Sequence, residues 1–270
     1  MIKSLAVCLL FAAATLFVAF PLAALVLKTT PTDFIESLHS PQVLDALKLS
    51  LATSLVSTMI VVIAGTPVSY VNARHDYPGK DVIDTLLDLP AILPPLVAGL
   101  ALLMAYGRRG LLGQYLDVLG INIAFTSLAV ITAQVFVSAP YYIRQARASF
   151  EDVDVAYEKA ASTLGASKWR TFFKVTMPMA AGGLVSGALM CWSRALSEFG
   201  ATIMFAGNYQ GRTQTMPLAI YVSAESDMNA ALTLAVILVA LSFTSMMLVK
   251  KITKKRKNAV HIGPKTSKGL

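Results

Sequence analysis

"AYEKAASTLGASKWRTFFKVTMPMA", residues 156–180, interrupts a chain that is otherwise mostly apolar. It carries Glu158, Lys159, Lys168, Arg170 and Lys174, with long charge-free runs before and after it. Tyr157, Ala160, Ala161 and Leu164 recur at i, i+3, i+4 and i+7, the spacing of one apolar helix face. Glu158, Lys159, Ser162 and Thr163 fall largely elsewhere. Gly165 suits the left-handed position that ends a helix. Ser167 can cap a second helix, and Pro178 marks a break where the apolar sequence resumes. The pattern predicts a short amphipathic helix held at a membrane surface. Such a helix can lie among lipid headgroups or dock in a groove of a soluble partner, and periodicity does not choose between the two.

Working outward, the 270 residues are 56% hydrophobic and 14% charged, with a mean hydropathy of +0.64. A soluble domain has about a quarter charged residues, so the composition is that of an integral membrane protein. Uncharged runs occupy 4–27, 49–73, 89–107, 118–143, 175–193 and 228–249. Each approaches the roughly 20 residues that cross a bilayer as a helix. The runs are continuous rather than alternating, which excludes a β-barrel. The expectation is therefore all-α, with six transmembrane helices, the fifth continuing past Arg194 and Glu198 to about residue 206. The first run is 24 residues long, beyond the roughly 7–15 of a signal h-region, and reads as a retained span.

Six is even, so both ends of the chain share one side. Lys3, Arg74, Lys80, six residues between Arg144 and Lys174, and eight from Lys250 onward place 17 Lys and Arg on one face. Lys28, Lys48, Arg108, Arg109 and Arg212 place five on the other. The positive-inside rule puts the first face, with both termini and the opening stretch, in the cytoplasm. The net charge of +8 is thus a matter of topology, and no nucleic acid is implied. The basic tail, 251–270, suits either a plain stop-transfer anchor or a lipid- or partner-reading element.

The opening stretch resembles the cytoplasmic signature loop of the permease subunits of ATP-binding-cassette importers: EAA, three residues, G, nine residues, I-x-L-P. Ala160 and Ala161 are followed after three residues by Gly165, and nine residues later by Val175-Thr176-Met177-Pro178. Lys159 stands where the family usually has glutamate, with Glu158 just before it. Two further stretches, 88–113 and 194–221, are similar to molybdate/tungstate permeases, while sulfate permeases have a related but different run at the second. The resemblance implies the type-1 permease fold over 45–250, with a first helix and outer loop at 1–44. It makes 151–174 a coupling segment whose residues Tyr157, Glu158, Lys159, Ala160, Ala161, Leu164 and Gly165 sit in a cleft of an ATPase. It implies an importer of molybdate or tungstate, or alternatively sulfate, in a cell membrane. The implied partners are a second permease, identical here, two ATPase subunits that hold ATP and Mg, and an extracytoplasmic oxyanion-binding protein.

The chain has no GxxxxGK[ST] phosphate loop, so it is read as a non-catalytic transport subunit that binds no cofactor. His39, His75 and His261 are too scattered for a metal site, and Cys8 and Cys191 both fall within apolar runs. Arg194 and Glu198 are intramembrane charges four residues apart, on one helix face. They fit either a pore or gate contact with the anion or an internal ion pair, the commoner role. "PAILPP" (90–95) fits a gate or a packing kink. Ser138, Thr202 and Asn208 fit an anion path or, more commonly, interhelical hydrogen bonds. Tyr106, Gly107, Arg108 and Arg109, on the outer face, fit a segment that guides an anion or contacts a binding protein or, as the default, a solvated loop. A self-sufficient secondary transporter would carry coupling-ion carboxylates deep in its spans and internal repeats. Glu198 alone fits the first, and no repeat is evident. A membrane enzyme would show clustered His or Asp near an interface, which are lacking.

Overall fold

The computed structural model describes residues 2–260, with side-chain surroundings for 7–253, and every regular element among them is helical. In chain order these are α1 (Ile2–Lys28), α2 (Pro31–Leu38), α3 (Pro41–Arg74), α4 (Lys80–Ile92), α5 (Pro95–Tyr106), α6 (Gly113–Val118) and α7 (Ser127–Glu151). There follow α8 (Val155–Thr163), α9 (Lys168–Thr171), a π-helical turn (Phe172–Thr176), α10 (Met177–Leu196), α11 (Gly200–Ala206), α12 (Met216–Ser226) and α13 (Met228–Val260). His261 and the rest of the second half of the basic tail, 261–270, lie outside the described residues.

Among the described residues, four helical stretches are long and apolar enough to cross a membrane: Val7–Lys28, Pro41–Arg74, Lys168–Leu196 and Met228–Thr253. A fifth crossing arises if α4 and α5, which meet at 115°, count as one broken span. The run 89–107 thus carries the kink expected at 90–95, as a sharp break between two helices. A residue before proline is driven out of the helical region. Leu93 precedes Pro94 and Pro94 precedes Pro95, so both take ψ near that of an extended chain, 139° and 132°. The run 118–143 is also revised: its helix starts at Ser127, capped by the Thr126 hydroxyl, and runs on to Glu151. Arg144 and Arg147 are accepted in it because Asp88 and Asp84 of α4 meet them, each pair 2.5 Å apart.

Two corrections concern the fifth run. Its helix stops at Leu196 instead of continuing to 206, and the chain turns through Ser197–Phe199 before α11. Pro178 does not break the helix. Without an N–H it cannot close the α-helical bond of its turn, and the chain rewinds just upstream as a π turn, with Met177 N–H reaching back to Phe172 C=O. One helix therefore carries through from Lys168 to Leu196.

The chain divides into two compact units. The smaller comprises 1–50 and 208–241. In it Gln42 donates to Ser223 (3.2 Å) and the Met216 N–H donates to Ser50 (2.6 Å), tying the start of α3 to α12. The larger comprises 51–207 and 242–270 and is organised around α7. One face of α7 places Ala129, Ala133 and Val137 against Ala98 and Leu102 of α5 and Ala201 and Phe205 of α11. Another places Tyr142, Ala146 and Phe150 against Val61 of α3 and Ala180, Leu184 and Cys191 of α10. Small residues let membrane helices approach closely. A Cβ on Gly99 would stand 2.7 Å from the Ala201 carbonyl oxygen. Polar side chains join the same helices: Ser57 to Gln134 (3.0 Å), Thr66 to Tyr142 (2.6 Å) and Trp192 to Ser54 (3.0 Å).

Candidate functional site

The opening stretch folds as two short helices at one end of the larger unit. Asp154 caps α8, its Oδ1 accepting the Ala156 N–H at 2.8 Å. Gly165 ends it at φ +80°. Its N–H donates to Ser162 C=O (2.9 Å) and that of Ala166 to Ala161 C=O (3.0 Å), the paired closure of a Schellman motif. Ser167 then caps α9, accepting the Arg170 N–H at 3.3 Å.

The inward side of α8 is fixed by charge. Glu158 Oε1 lies 3.0 Å from both Nε and Nη2 of Arg74, the last residue of α3. The same oxygen accepts the Thr176 hydroxyl at 2.9 Å, and the Tyr70 hydroxyl stands at the limit of bonding, 3.5 Å from Oε2. Arg74 Nη2 also donates to the Val153 carbonyl at 2.8 Å, in the link between α7 and α8. Beneath this pair Tyr70 meets Phe150 and Phe172 edge-on, with ring centres 5.5 and 4.8 Å apart. Four segments, α3, the α7–α8 link, α8 and the π turn, therefore converge on one ion pair.

The outward side is open. Tyr157 is 54% exposed and Leu164 88%; Ala160, Lys159 and Gly165 are exposed as well, while Ala161 is half-buried. The apolar face read from the spacing thus points away from the protein, and the charged residue Glu158 points in. Beside it a cavity of about 640 Å³ is walled by Pro67, Tyr70, Val71, Val155, Trp169 and Phe172, with Arg74, His75, Glu158 and Lys168 among its polar lining. Past its mouth, Lys80 donates to the Asp76 carboxylate (3.0 Å). That hydrogen bond first, and the ammonium charge second, hold this exposed carboxyl below its ordinary pKa.

Sequence reasoning missed Arg74, Tyr70 and Thr176. Arg74 was legible only as the end of a span; nothing local to it announces a partner 84 positions away.

The second candidate pair is away from α8. Arg194 Nη1 lies 2.6 Å from Glu198 Oε2, with the Glu198 side chain 1% exposed and that of Arg194 23%. Glu198 Oε1 also accepts the Ala201 N–H at 2.7 Å. Glu198 lies beyond the end of α10, so it joins Arg194 across the turn and caps α11. Of the small polar candidates, Ser138 accepts from the Cys191 thiol at 3.3 Å, joining α7 to α10. Thr202 Oγ1 and Asn208 Oδ1 are buried without a hydrogen-bond partner among the described residues. Arg108 pairs with Asp117 at 3.1 Å, and Arg109 is exposed. His39 Nδ1 bonds the Ile35 carbonyl (2.7 Å). Among the described residues no group of three His, Cys, Asp or Glu could hold a metal ion.

Among the described residues, several helices long and apolar enough to cross a bilayer define an integral membrane protein. The chain belongs to the family described as binding-protein-dependent transport system inner membrane component, which matches residues 57–258. It is a multi-pass inner-membrane protein. It is 38% identical over 232 residues to the probable transport system permease protein NifC of Clostridium pasteurianum, covering 86% of this chain and 81% of that one. It is 40% identical over 230 residues to the molybdenum transport system permease protein ModB of Mycobacterium tuberculosis, covering 85% and 87%. The sulfate transport system permease protein CysT of Escherichia coli is 34% identical over 231 residues, covering 84% and 83%. Among solved structures, a bacterial ABC transporter involved in the import of the acidic polysaccharide alginate shares the fold. Its TM-score is 0.70 at 14% identity, covering 97% of this chain and 96% of that one.

Proposed function

We propose that this chain is the translocation-pathway subunit of an ATP-driven importer for molybdate or tungstate. The observation that carries the coupling part is α8, pinned from behind by Arg74–Glu158 while Tyr157, Ala160 and Leu164 face outward. A rigid helix with an open apolar face suits a groove on a soluble partner, here one ATPase subunit per permease. ATP and Mg belong to that partner. Relatives named for molybdenum at 35–40% identity, against 34% and 37% for two named for sulfate, favour the first substrate; sulfate is the second reading.

The working assembly is a permease homodimer with two ATPase subunits and an extracytoplasmic binding protein. Each permease crosses six times, through α1, α3, the bent α4–α5 pair, α7, α9–α10 and α13, with both ends in the cytoplasm. Residues 45–250 make the core, 151–174 the coupling segment and 251–270 a tail. ATP-driven closure of the ATPases moves the two α8 helices together. Arg74 passes that motion to α3, and the π turn passes it to α10. Each ligand shifts the inward–outward balance only by its differential affinity for the two states.

The test is co-purification with the neighbouring ATPase, then anion-stimulated ATP hydrolysis with the binding protein in liposomes. Stimulation by molybdate or tungstate is expected. Stimulation by sulfate alone would overturn the substrate assignment.

A further inference from the structure

The cavity beside α8 has a second use that the coupling role does not require. Its mouth lies where two membrane-crossing stretches end on the same side: Pro41–Arg74 finishes there and Lys168–Leu196 begins there. With those two stretches set across a bilayer, the mouth falls near the headgroup layer, where Trp and Tyr concentrate and Lys and Arg flank the cytoplasmic ends of spans. Lys168 and Trp169 stand at this level, with Trp169 74% exposed. The lining divides by chemistry. Pro67, Val71, Val155 and Phe172 make an apolar wall, while His75 and Lys168 stand at the polar side. Arg74 and Glu158 neutralise each other, 3.0 Å apart. The Lys168 ammonium has no side-chain partner among the described residues, so its positive charge is unspent, and the His75 ring adds a hydrogen-bonding nitrogen to the same polar side. An apolar slot of about 640 Å³ ending in one uncommitted ammonium and a hydrogen-bonding imidazole, near headgroup depth, matches a molecule with a phosphate at one end and hydrocarbon at the other. Basic pockets between membrane helices bind such headgroups.

The geometry points to a binding site for one anionic phospholipid between the end of α3 and the start of α9, its phosphate at Lys168 and His75 and its acyl chain against Val71 and Phe172. A lipid seated there fills the space behind α8 and braces the wall that holds the Arg74–Glu158 pair. The inference rests on the membrane placement of the chain and not on the transported anion.

It is tested on the full-length permease in detergent, with neither ATPase nor oxyanion present, so that failure here leaves the proposed transport reading untouched. Native mass spectrometry measures retention of phosphatidylglycerol against phosphatidylcholine. Wild type is expected to retain phosphatidylglycerol at least about fivefold better. Lys168→Gln should weaken it about fivefold, the equivalent of roughly 1 kcal/mol for one basic residue at an anionic headgroup. Val71→Trp, which fills the slot and changes no charge, should abolish the preference; this separates a pocket from general surface attraction. Equal retention of the two lipids, or full retention by both variants, overturns the proposal. Displacement of the lipid by millimolar inorganic phosphate also overturns it, since the site would then take a free anion.

Discussion

Arg74 and Glu158 sit 84 positions apart in sequence and 3.0 Å apart in space, and they join the end of a membrane-crossing helix to the middle of the docking helix. Both side chains are largely shielded from water. Losing one partner of such a pair leaves the other desolvated and uncompensated, which typically costs about 3–5 kcal/mol when burial is complete and less here. Arg74→Ala and Glu158→Ala should each lower the thermal midpoint and weaken ATPase co-purification. The double variant should lose clearly less than the sum. Simple additivity of the two losses would show that the pair does not hold α8.

Leu164 offers the complementary change. At 88% exposure it contributes little to the fold, and surface substitutions typically shift stability by less than about 0.5 kcal/mol. Leu164→Asp should leave the melting curve in detergent unchanged while reducing recovery of the partner ATPase at least tenfold. Undiminished recovery would remove the apolar face of α8 from the docking surface.

At Gly165 the constraint is in the backbone, because a Cβ there would meet nothing within 4 Å. The cost of a side chain comes from φ +80° and is about 1–2 kcal/mol for an ordinary residue, less for Asn. Coupled, anion-stimulated ATP hydrolysis should therefore fall in the order Asn, Ala, Val. Equal activity of Gly165→Asn and Gly165→Val would mean that helix termination at this point is immaterial.

Arg194 and Glu198 can be tried as an internal pair. Arg194→Gln alone strands a carboxylate that is 1% exposed. Adding Glu198→Gln removes that charge and keeps an oxygen for the Ala201 N–H. Thermal stability should drop in the single variant and recover in the double, with uptake following stability. A stable double variant without uptake would assign Arg194 to the anion instead.

Local chemistry was the part of this fold that the sequence displayed. Gly165 and Ser167 ended and began helices as their side chains dictate, and "ILPP" announced a disruption. Its size, 115°, depends on how α5 packs on α11 through Gly99 and Gly200, which no local pattern contains. The start of α7 was obscured because Ile121, Ile123 and Phe125 are apolar yet belong to a loop; Thr126 was the capping signal. Its extension through Arg144 and Arg147 depended on Asp88 and Asp84, more than fifty positions away. In the candidate site, spacing identified the α8 face but not its direction. The face points outward because Glu158, which periodicity placed with the polar residues, finds Arg74, Tyr70 and Thr176 within.

The π turn at Phe172–Thr176 has one further effect. Such a turn accommodates one extra residue, and each residue of an α-helix advances the azimuth by about 100°. Everything from Lys168 to Thr171 is therefore rotated by that amount relative to an uninterrupted continuation of α10. The two halves of this rod answer to different surroundings, the helix bundle around α7 for the long half and the neighbourhood of α8 for the short one, and the inserted residue lets each keep its own phase. Trp169 stacked on Phe173 is the visible seam. A single-residue deletion here would leave the composition nearly untouched and turn the short half to face the wrong phase, so this is a position where length, more than chemical identity, is under constraint.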